Sequence, residues 1–281
     1  MKTIIRFALV AMLFLSVLPV LNAQQDSAAK SEVKFKAGVY YNSNLNYYGR
    51  TDSLRSSAVF PVAELWFNKK FYINAAPVFV NNAITSFDYA GTVATVGYQA
   101  KSENEKWFTH IYLTKPFYES NSQLVQSALK AQFNTNFSWL NKVININFGG
   151  DVKLSDKYDF GLTAGLDHLF KHSFEQDWKL FINPSAYLNA GTQRFTSTYY
   201  KKSSFLFFPG VEQQVSEEVN KLNILSYELS MPVILAKNKL QVIIIPAYVI
   251  PQNLITVQGR PDLSERGKEM FYITAGAKIN F

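Results

Sequence analysis

The chain has 281 residues, of which only 17% are charged while 15% are aromatic, and its formal net charge is +7. Soluble domains carry about a quarter of charged residues, so this balance argues against an ordinary soluble protein. The positive excess is too small to indicate nucleic-acid binding, although it is compatible with anionic lipopolysaccharide or an anionic solute as a partner. The sequence has no cysteine, which excludes disulfides and a lipid anchor on cysteine.

The first 23 residues have the pattern of a cleaved signal peptide. After a positively charged start, residues 7–21 form an apolar run, and Ala23 supplies the small residue that signal peptidase requires. A membrane-spanning helix needs about 20 apolar residues, whereas this run is shorter and contains Pro19. We therefore predict a signal peptide at 1–23 and an outer-membrane β-barrel domain at 24–281.

Residues 270–281 alternate between apolar and polar side chains. Odd positions such as Phe271 are apolar, whereas even positions such as Thr274 and Lys278 are polar or small. A strand with this period has one apolar face and one polar face. An aromatic residue directly after such a strand, here Phe281, is typical of the closing strand of an outer-membrane β-barrel.

The same alternation recurs along the chain and predicts twelve strands. The eleventh is apolar on both faces and contains Pro246, which has no amide for the ladder, so we expect a bulge there. The predicted strands are 33–41, 59–67, 71–80, 94–99, 107–113, 129–139, 144–154, 158–167, 178–189, 221–232, 239–250 and 270–281.

The connections between these strands alternate in length, as in a transmembrane barrel whose two termini lie on the periplasmic side. Unpaired backbone groups in hydrocarbon cost several kcal/mol each, so the strands must close into a ring. We therefore predict an all-β, antiparallel, up-and-down transmembrane β-barrel of about 12 strands, porin-like and located in the bacterial outer membrane. A soluble β-sandwich is the alternative, but it explains neither the alternating connections nor the terminal Phe281. The predicted outer connections are 43–55, 81–90, 117–126, 155–157, 190–220 and 251–268, and all but 155–157 are long.

The four tryptophans fall near the short connections, where we expect an interfacial aromatic girdle. The inward face carries charges of both signs in similar number, and two interpretations remain open. Paired charges can fill the lumen, or they can line a narrow aqueous path for small polar solutes, which is the leading hypothesis for function. The candidate lumen-lining residues are Lys34, Lys36, Glu64, Lys130, Asp151, Lys153, Asp159, Asp167, Lys179, Glu228 and Lys278.

The connection 190–220 is rich in aromatic and basic residues, which dominate binding hot spots. One hypothesis is that it displays a contact surface for an outer-surface protein or polysaccharide on a non-conducting barrel. The alternative is that it folds back into the mouth or extends the strands. In the first outer connection, we expect Asp52 to pair locally with Arg50 and Arg55, without a ligand. The outer-loop contact candidates are Phe195, Tyr199, Tyr200, Lys201, Lys202, Phe207 and Phe208.

Enzymatic activity is not predicted. Some outer-membrane hydrolases place His and Ser two positions apart on a strand, but none of His110, His168 and His172 is followed by Ser at that spacing. A Ser–His dyad built from distant strands is the alternative that stays open, since such sites are defined by geometry. The sequence contains no nucleotide loop, zinc motif or calcium loop. We therefore expect no catalytic residues, no metal and no cofactor. The expected partners are outer-membrane lipid, lipopolysaccharide and the barrel-assembly machinery.

Several segments resemble a group of outer-membrane barrels from the Bacteroidota. They include YYNSN at 40–44 with YGRTDS at 48–53, NAGTQRF at 189–195 with YYK at 199–201, ILSYELSMP at 224–232, and PAYVIP at 246–251. The resemblance implies an envelope location and a barrel fold. It implies no reaction, substrate or site residues, because the group has none assigned.

Overall fold

The computed structural model describes residues 33–119, 122, 124–195, 220–256 and 264–281. The predicted signal peptide and most of the 190–220 connection lie outside these residues. Fifteen strands are present in the described part of the chain, all joined in one antiparallel sheet. They are β1 (Val33–Asn42), β2 (Ser57–Phe67), β3 (Phe71–Asn81), β4 (Asp88–Lys101), β5 (Trp107–Tyr118), β6 (Ala131–Trp139), β7 (Asn145–Leu154), β8 (Tyr158–Asp167), β9 (Phe170–Ser173), β10 (Trp178–Ile182), β11 (Ser185–Gly191), β12 (Asn223–Ser230), β13 (Val233–Lys237), β14 (Leu240–Pro251) and β15 (Met270–Asn280).

The sheet closes on itself. The first strand pairs with the last, with Tyr40 opposite Gly276, and β12 pairs with both β11 and β14. Three pairs of consecutive strands are pieces of single transmembrane strands: β8 with β9, β10 with β11, and β12 with β13. The pieces of one strand pair with the corresponding pieces of the next, β8 with β11 and β9 with β10, then β11 with β12 and β10 with β13, and β12 and β13 both pair with β14. The result is a closed barrel of twelve transmembrane strands, which confirms the predicted fold.

A row of interruptions crosses the barrel wall at one level. Pro184, Pro232 and Pro246 lie in adjacent transmembrane strands, and each lacks the amide that a ladder hydrogen bond needs. The backbone carbonyls of these prolines still accept hydrogen bonds from the next strand. The Pro246 carbonyl accepts from the backbone N–H of Met231 at 3.0 Å, and the Pro232 carbonyl accepts from the backbone N–H of Asn183 at 2.9 Å. Pairing resumes in the same register on both sides of each break, so the predicted bulge at Pro246 is wrong.

Apolar side chains cover the outside of the barrel. The closed ring leaves no strand edge unpaired, as a hydrocarbon environment requires, and a band of exposed apolar residues this extensive would be unstable in water. The chain is therefore an outer-membrane β-barrel. Representative outward residues are Val39, Phe71, Val96, Leu113, Phe133, Phe148, Leu162, Leu229, Ile244 and Phe271, each at least 42% exposed.

Among the residues that the structure describes, no helix is long and apolar enough to cross a membrane.

The tryptophans divide between the two faces. Trp107 and Trp139 lie opposite each other on the outside, 43% and 37% exposed, and fit the expected girdle. Trp66 does not, because it shares the inward face with Glu64 and donates its indole N–H to that carboxylate at 2.8 Å. The expectation for Trp66 is therefore wrong, although its even position beside Glu64 already indicated the inward face.

Candidate functional site

The first outer connection, 43–56, crosses the lumen at its outer end. It leaves β1 and returns to β2, yet the Tyr48 ring lies 5.4 Å from the Lys153 ammonium of β7. In a ring of twelve transmembrane strands, β1 and β7 stand on opposite sides. The segment 45–52 must therefore span the mouth of the barrel, and we call it the outer plug.

Arg50 holds the outer plug to three other outer segments. Its guanidinium is 2% exposed and donates to Glu265 Oε1 at 3.0 Å, to Gln193 Oε1 at 2.7 Å, and to the carbonyls of Leu225 and Gln252, each at 3.1 Å. The expected local pairing with Asp52 is wrong, because the carboxylate partner lies 215 residues away. A charged group this buried is stable only when its donors are satisfied, and here several separate chain segments satisfy them.

An apolar cluster packs beneath this polar centre. Phe195 is fully buried, and its ring meets the Tyr47 ring edge-on with 5.1 Å between centroids. Val125, in the 3-10 helix Val125–Ala128 between β5 and β6, and Leu129, which follows that helix, complete the cluster. Burial raises the pKa of the Tyr47 phenol well above its ordinary value, so this group stays neutral in the plug.

The charged residues at the outer end of β7 and β8 are sealed under the plug. Lys153 is 0% exposed and forms an ion pair with Asp151, which is 7% exposed. Asp159 is also fully buried, and it accepts hydrogen bonds from the backbone amides of Arg194 and Phe195, each at 2.7 Å. These carboxylates are compensated by protein groups and are not in contact with water.

Lower in the barrel, three inward tyrosines lie flat against the wall. Each faces a glycine on the neighbouring strand, where an added Cβ would overlap the tyrosine ring. A side chain at these glycine positions would push the rings away from the wall, so the glycines allow the rings to lie against it. The pairs are Tyr40 with Gly276, Tyr72 with Gly97, and Tyr187 with Gly165.

The periplasmic half of the lumen has a different charge environment. Lys278 pairs with Glu64 at 2.8 Å, and these side chains are 16% and 13% exposed. The Lys36 ammonium lies 3.9 Å from the centroid of the Trp66 ring, and Trp66 stacks on Tyr72 with centroids 4.8 Å apart. Partly accessible charges therefore remain in this half, in contrast to the sealed outer half.

Most lumen candidates share the inward face of their strands in the observed register, but two predicted site residues lie elsewhere. Lys130 precedes β6 at the outer rim, where it pairs with Asp156 at 3.0 Å and is 59% exposed. Phe195 is buried in the cluster under the plug and offers no outer contact surface in this structure. The other contact candidates, Tyr199, Tyr200, Lys201, Lys202, Phe207 and Phe208, lie outside the described residues.

The remaining inward candidates make specific contacts or lie near the periplasmic end. Glu228 accepts from the Tyr272 hydroxyl at 3.1 Å, and Asp167 accepts from the side-chain amides of Asn145 and Asn147. Lys179 is exposed near the short turns. Lys34 lies opposite Trp66 in the β1–β2 pairing.

The histidines occupy two distinct settings. His110 is inward, with its Nε2 2.8 Å from the Tyr72 hydroxyl and its ring stacked on Tyr112. His168 and His172 lie near the short turns and pack edge-on against Phe170 and Phe174. Within the described ranges, no group of three or more His, Asp or Glu residues could hold a metal ion.

No protein-family description and no curated protein matches the sequence. Among solved structures, the barrel is similar to the NanC porin, with 10% identity, 88% of this chain and 98% of that chain covered, and a TM-score of 0.42. The barrel is also similar to an outer membrane channel from Pseudomonas putida F1, with 10% sequence identity and a TM-score of 0.42. That match covers 92% of this chain and 100% of the channel. LpxR from Salmonella typhimurium is similar with 7% sequence identity and a TM-score of 0.42, and the match covers 87% of this chain and 99% of LpxR. At these scores, the likenesses assign neither a family nor an activity to the chain.

Proposed function

We propose that this barrel is a narrow channel for passive passage of small polar solutes, closed at its outer mouth by the outer plug. The observation that carries the proposal is the arrangement of Tyr40, Tyr72 and Tyr187, whose rings lie against glycines of the neighbouring strands and so run along the wall. Filling the lumen would be simplest with bulky side chains directed to the axis. This wall instead places glycine where such side chains would stand.

The lining between the tyrosines supports the same function. Thr95 and Thr114 face each other across β4 and β5 with 3.2 Å between their hydroxyl oxygens. On the opposite side, Thr163 donates to Asn189 at 3.0 Å, and Asn189 donates to Ser226 at 3.2 Å. Neutral hydroxyl and amide groups of this kind can exchange hydrogen bonds with a hydrated solute without fixing it by charge.

In the proposed channel, conduction depends on the position of the outer plug. Its closed position rests on side-chain contacts to other connections and on a backbone hydrogen bond from Thr51 to Arg266 at 2.8 Å. The wall strands pair with one another independently of these contacts. Segment 45–52 can therefore leave the mouth without opening the ring. We propose that solutes pass only in that displaced state, so that wild-type openings are brief.

The proposal includes the absence of enzymatic activity and a relationship to the Bacteroidota barrels, both of which remain predictions. The contacts of the inward histidine support the absence of enzymatic activity, because His110 is hydrogen-bonded to Tyr72 and stacked on Tyr112. The second rests on the short sequence segments described above.

The test uses cysteine accessibility, since the chain has no native cysteine. Residues 24–281 would be refolded and inserted in a planar bilayer as Thr95→Cys and, separately, as the matched control Val96→Cys. Thr95 faces the lumen, whereas its neighbour Val96 faces outward and is 50% exposed. A bulky methanethiosulfonate reagent should reduce the current through the Thr95→Cys barrel and leave the Val96→Cys barrel unchanged.

Equal effects on both variants would contradict a path through the lumen. If the wild type is silent, the same recording with Arg50→Ala decides whether the plug is the cause. A folded, heat-modifiable Arg50→Ala barrel that also stays silent would overturn the channel proposal.

The second candidate is a non-conducting barrel that binds an outer-surface protein or polysaccharide. The observation that favours it is the sealed outer end, where Arg50 and Lys153 are almost completely buried. A silent Arg50→Ala barrel would favour this candidate. A pull-down that is lost with Tyr199→Ala and Phe207→Ala, while the barrel still assembles, would support it directly.

A further inference from the structure

The charges of the lumen are separated along the barrel axis. In the sequence, the inward lysines and carboxylates are similar in number. In the structure, Asp151 and Asp159 are buried at the outer end and compensated by Lys153 and backbone amides. These two carboxylates are therefore not accessible to solvent in the periplasmic half of the lumen. The net charge that solvent contacts in that half is set by other residues.

Lys36 lies opposite Glu64 in the β1–β2 pairing but forms no ion pair with it. Its ammonium lies over the Trp66 ring at 3.9 Å, and within the described part of the chain it takes no part in an ion pair. A cation over an indole face is stabilised by the ring quadrupole and still keeps its full positive charge. The ammonium is thus held in place but remains able to attract an anion.

The carboxylate nearest to this position is already shared. Glu64 accepts from Lys278 with one oxygen and from the Trp66 indole with the other, each at 2.8 Å. One negative charge therefore faces two ammonium groups, on β1 and β15. The inward position opposite Lys278 is Gly38, and the Tyr40 ring lies 3.1 Å from where a Cβ of residue 38 would stand.

We propose that Lys36, Lys278 and Trp66 form an anion-binding vestibule in the periplasmic half of the lumen, so that the solutes of this channel are small anions. The preference for anions rests on the proposed channel function, but binding at the vestibule does not. The ligand class is a small hydrated anion, inorganic or a short carboxylate. We do not expect the ligand to stack on Trp66, because the Lys36 ammonium lies over that ring and the Tyr72 ring stacks on it.

The vestibule contains its own reporter, since Trp66 is fluorescent. The barrel would be refolded in detergent with Trp107, Trp139 and Trp178 replaced by phenylalanine, leaving Trp66 as the single tryptophan. Quenching by iodide, an anion, would be compared with quenching by caesium and by neutral acrylamide. We expect iodide to quench Trp66 at least about threefold more strongly than caesium, after each is corrected for its efficiency on free tryptophan, since two ammonium groups act against one carboxylate.

Charge-removing variants locate the effect. Lys36→Gln and Lys278→Gln should each lower the iodide quenching constant about twofold, as expected for one charge about 6 Å away through water at 0.1 M salt. Lys130→Gln is the matched control, because it removes the same charge at the exposed outer rim. Acrylamide quenching should stay constant in all three variants, which separates loss of charge from a change in access.

Equal iodide and caesium quenching would overturn the proposal, as would an equal loss of iodide quenching in Lys130→Gln. The anion preference itself is measured by the reversal potential of the channel in a KCl gradient, which should shift toward cations in Lys36→Gln. A barrel that stays silent even as the Arg50→Ala variant, but shows iodide-selective quenching, refutes the channel and retains the vestibule. A conducting barrel without that selectivity refutes the vestibule alone.

Discussion

Replacing Arg50 by alanine is the most direct perturbation of the outer plug. It removes the side-chain hydrogen bonds to Glu265, Gln193 and three carbonyls. It also takes the guanidinium partner away from the Glu265 carboxylate, which is 2% exposed. The wall strands are untouched, since the Arg50 side chain does not contribute to their ladders. The closed plug should therefore be destabilised while the barrel remains folded.

The expected size follows from the burial of the pair. Removing one partner of a buried ion pair costs about 3–5 kcal/mol. Glu265 still accepts from the Ile255 amide at 2.8 Å, so the effect expected here comes from the loss of the opposite charge. At about 1.4 kcal/mol per tenfold change, the ratio of open to closed plug should rise by roughly 10²- to 10⁴-fold. Glu265→Gln keeps the size of the partner and removes only its charge, so we expect an intermediate effect of about 1.5–3 kcal/mol.

The assay is the open probability of single channels at fixed voltage, together with heat modifiability as the check on folding. Lys130→Gln provides the control, because the Lys130–Asp156 pair lies at the same end of the barrel but is 59% exposed at both residues. An exposed pair contributes about 0–1 kcal/mol, so its loss should change the open probability by less than about fivefold.

A folded Arg50→Ala barrel with wild-type open probability would refute the argument that this side chain holds the mouth closed. An equal increase in Lys130→Gln would refute it as well, because it would show a general response to lost charge at the outer end.

Three further predictions concern packing and buried charge. Gly97→Ala should push the Tyr72 ring off the wall, lower the single-channel current and destabilise the barrel in urea by about 1–3 kcal/mol. Gly150→Ala is the control, because its added Cβ makes only ordinary contacts, and it should change neither the current nor the stability. Phe195→Ala should remove about 3–5 kcal/mol from the plug and raise the open probability without altering heat modifiability. Lys153→Met should destabilise the barrel more than the double change with Asp151→Leu, since the single change leaves a buried carboxylate alone; a larger loss in the double variant, measured by urea unfolding, would contradict this.

The strands were predictable because their signal is local. The side-chain period of two is a property of each strand by itself, and residues 129–139 or 270–281 show it without knowledge of any partner. The observed strands match the twelve predicted segments, with extensions such as β9 and β13 where pairing continues past an interruption. Even the error at Trp66 was avoidable, since its parity with Glu64 places both on one face.

The outer plug was not predictable, because its contacts join distant parts of the chain. Nothing near Arg50 indicates that its carboxylate partner is Glu265, 215 residues later. Phe195 was interpreted as an exposed contact residue because aromatic residues in a connection have no periodic pattern to show which side is buried. Only the fold shows that it lies under Tyr47.

The sequence by itself determined the barrel: its strand number, the inward and outward faces, and the end at which the short turns lie. These follow from backbone periodicity and from the need to pair every strand in a membrane. Tertiary structure alone decided which charges of the inward face are sealed and which remain accessible. Asp151 and Asp159 are buried beneath the outer plug, while Lys36 and Lys278 stay in the accessible half. That separation depends on the path of one loop across the lumen, which no local pattern encodes.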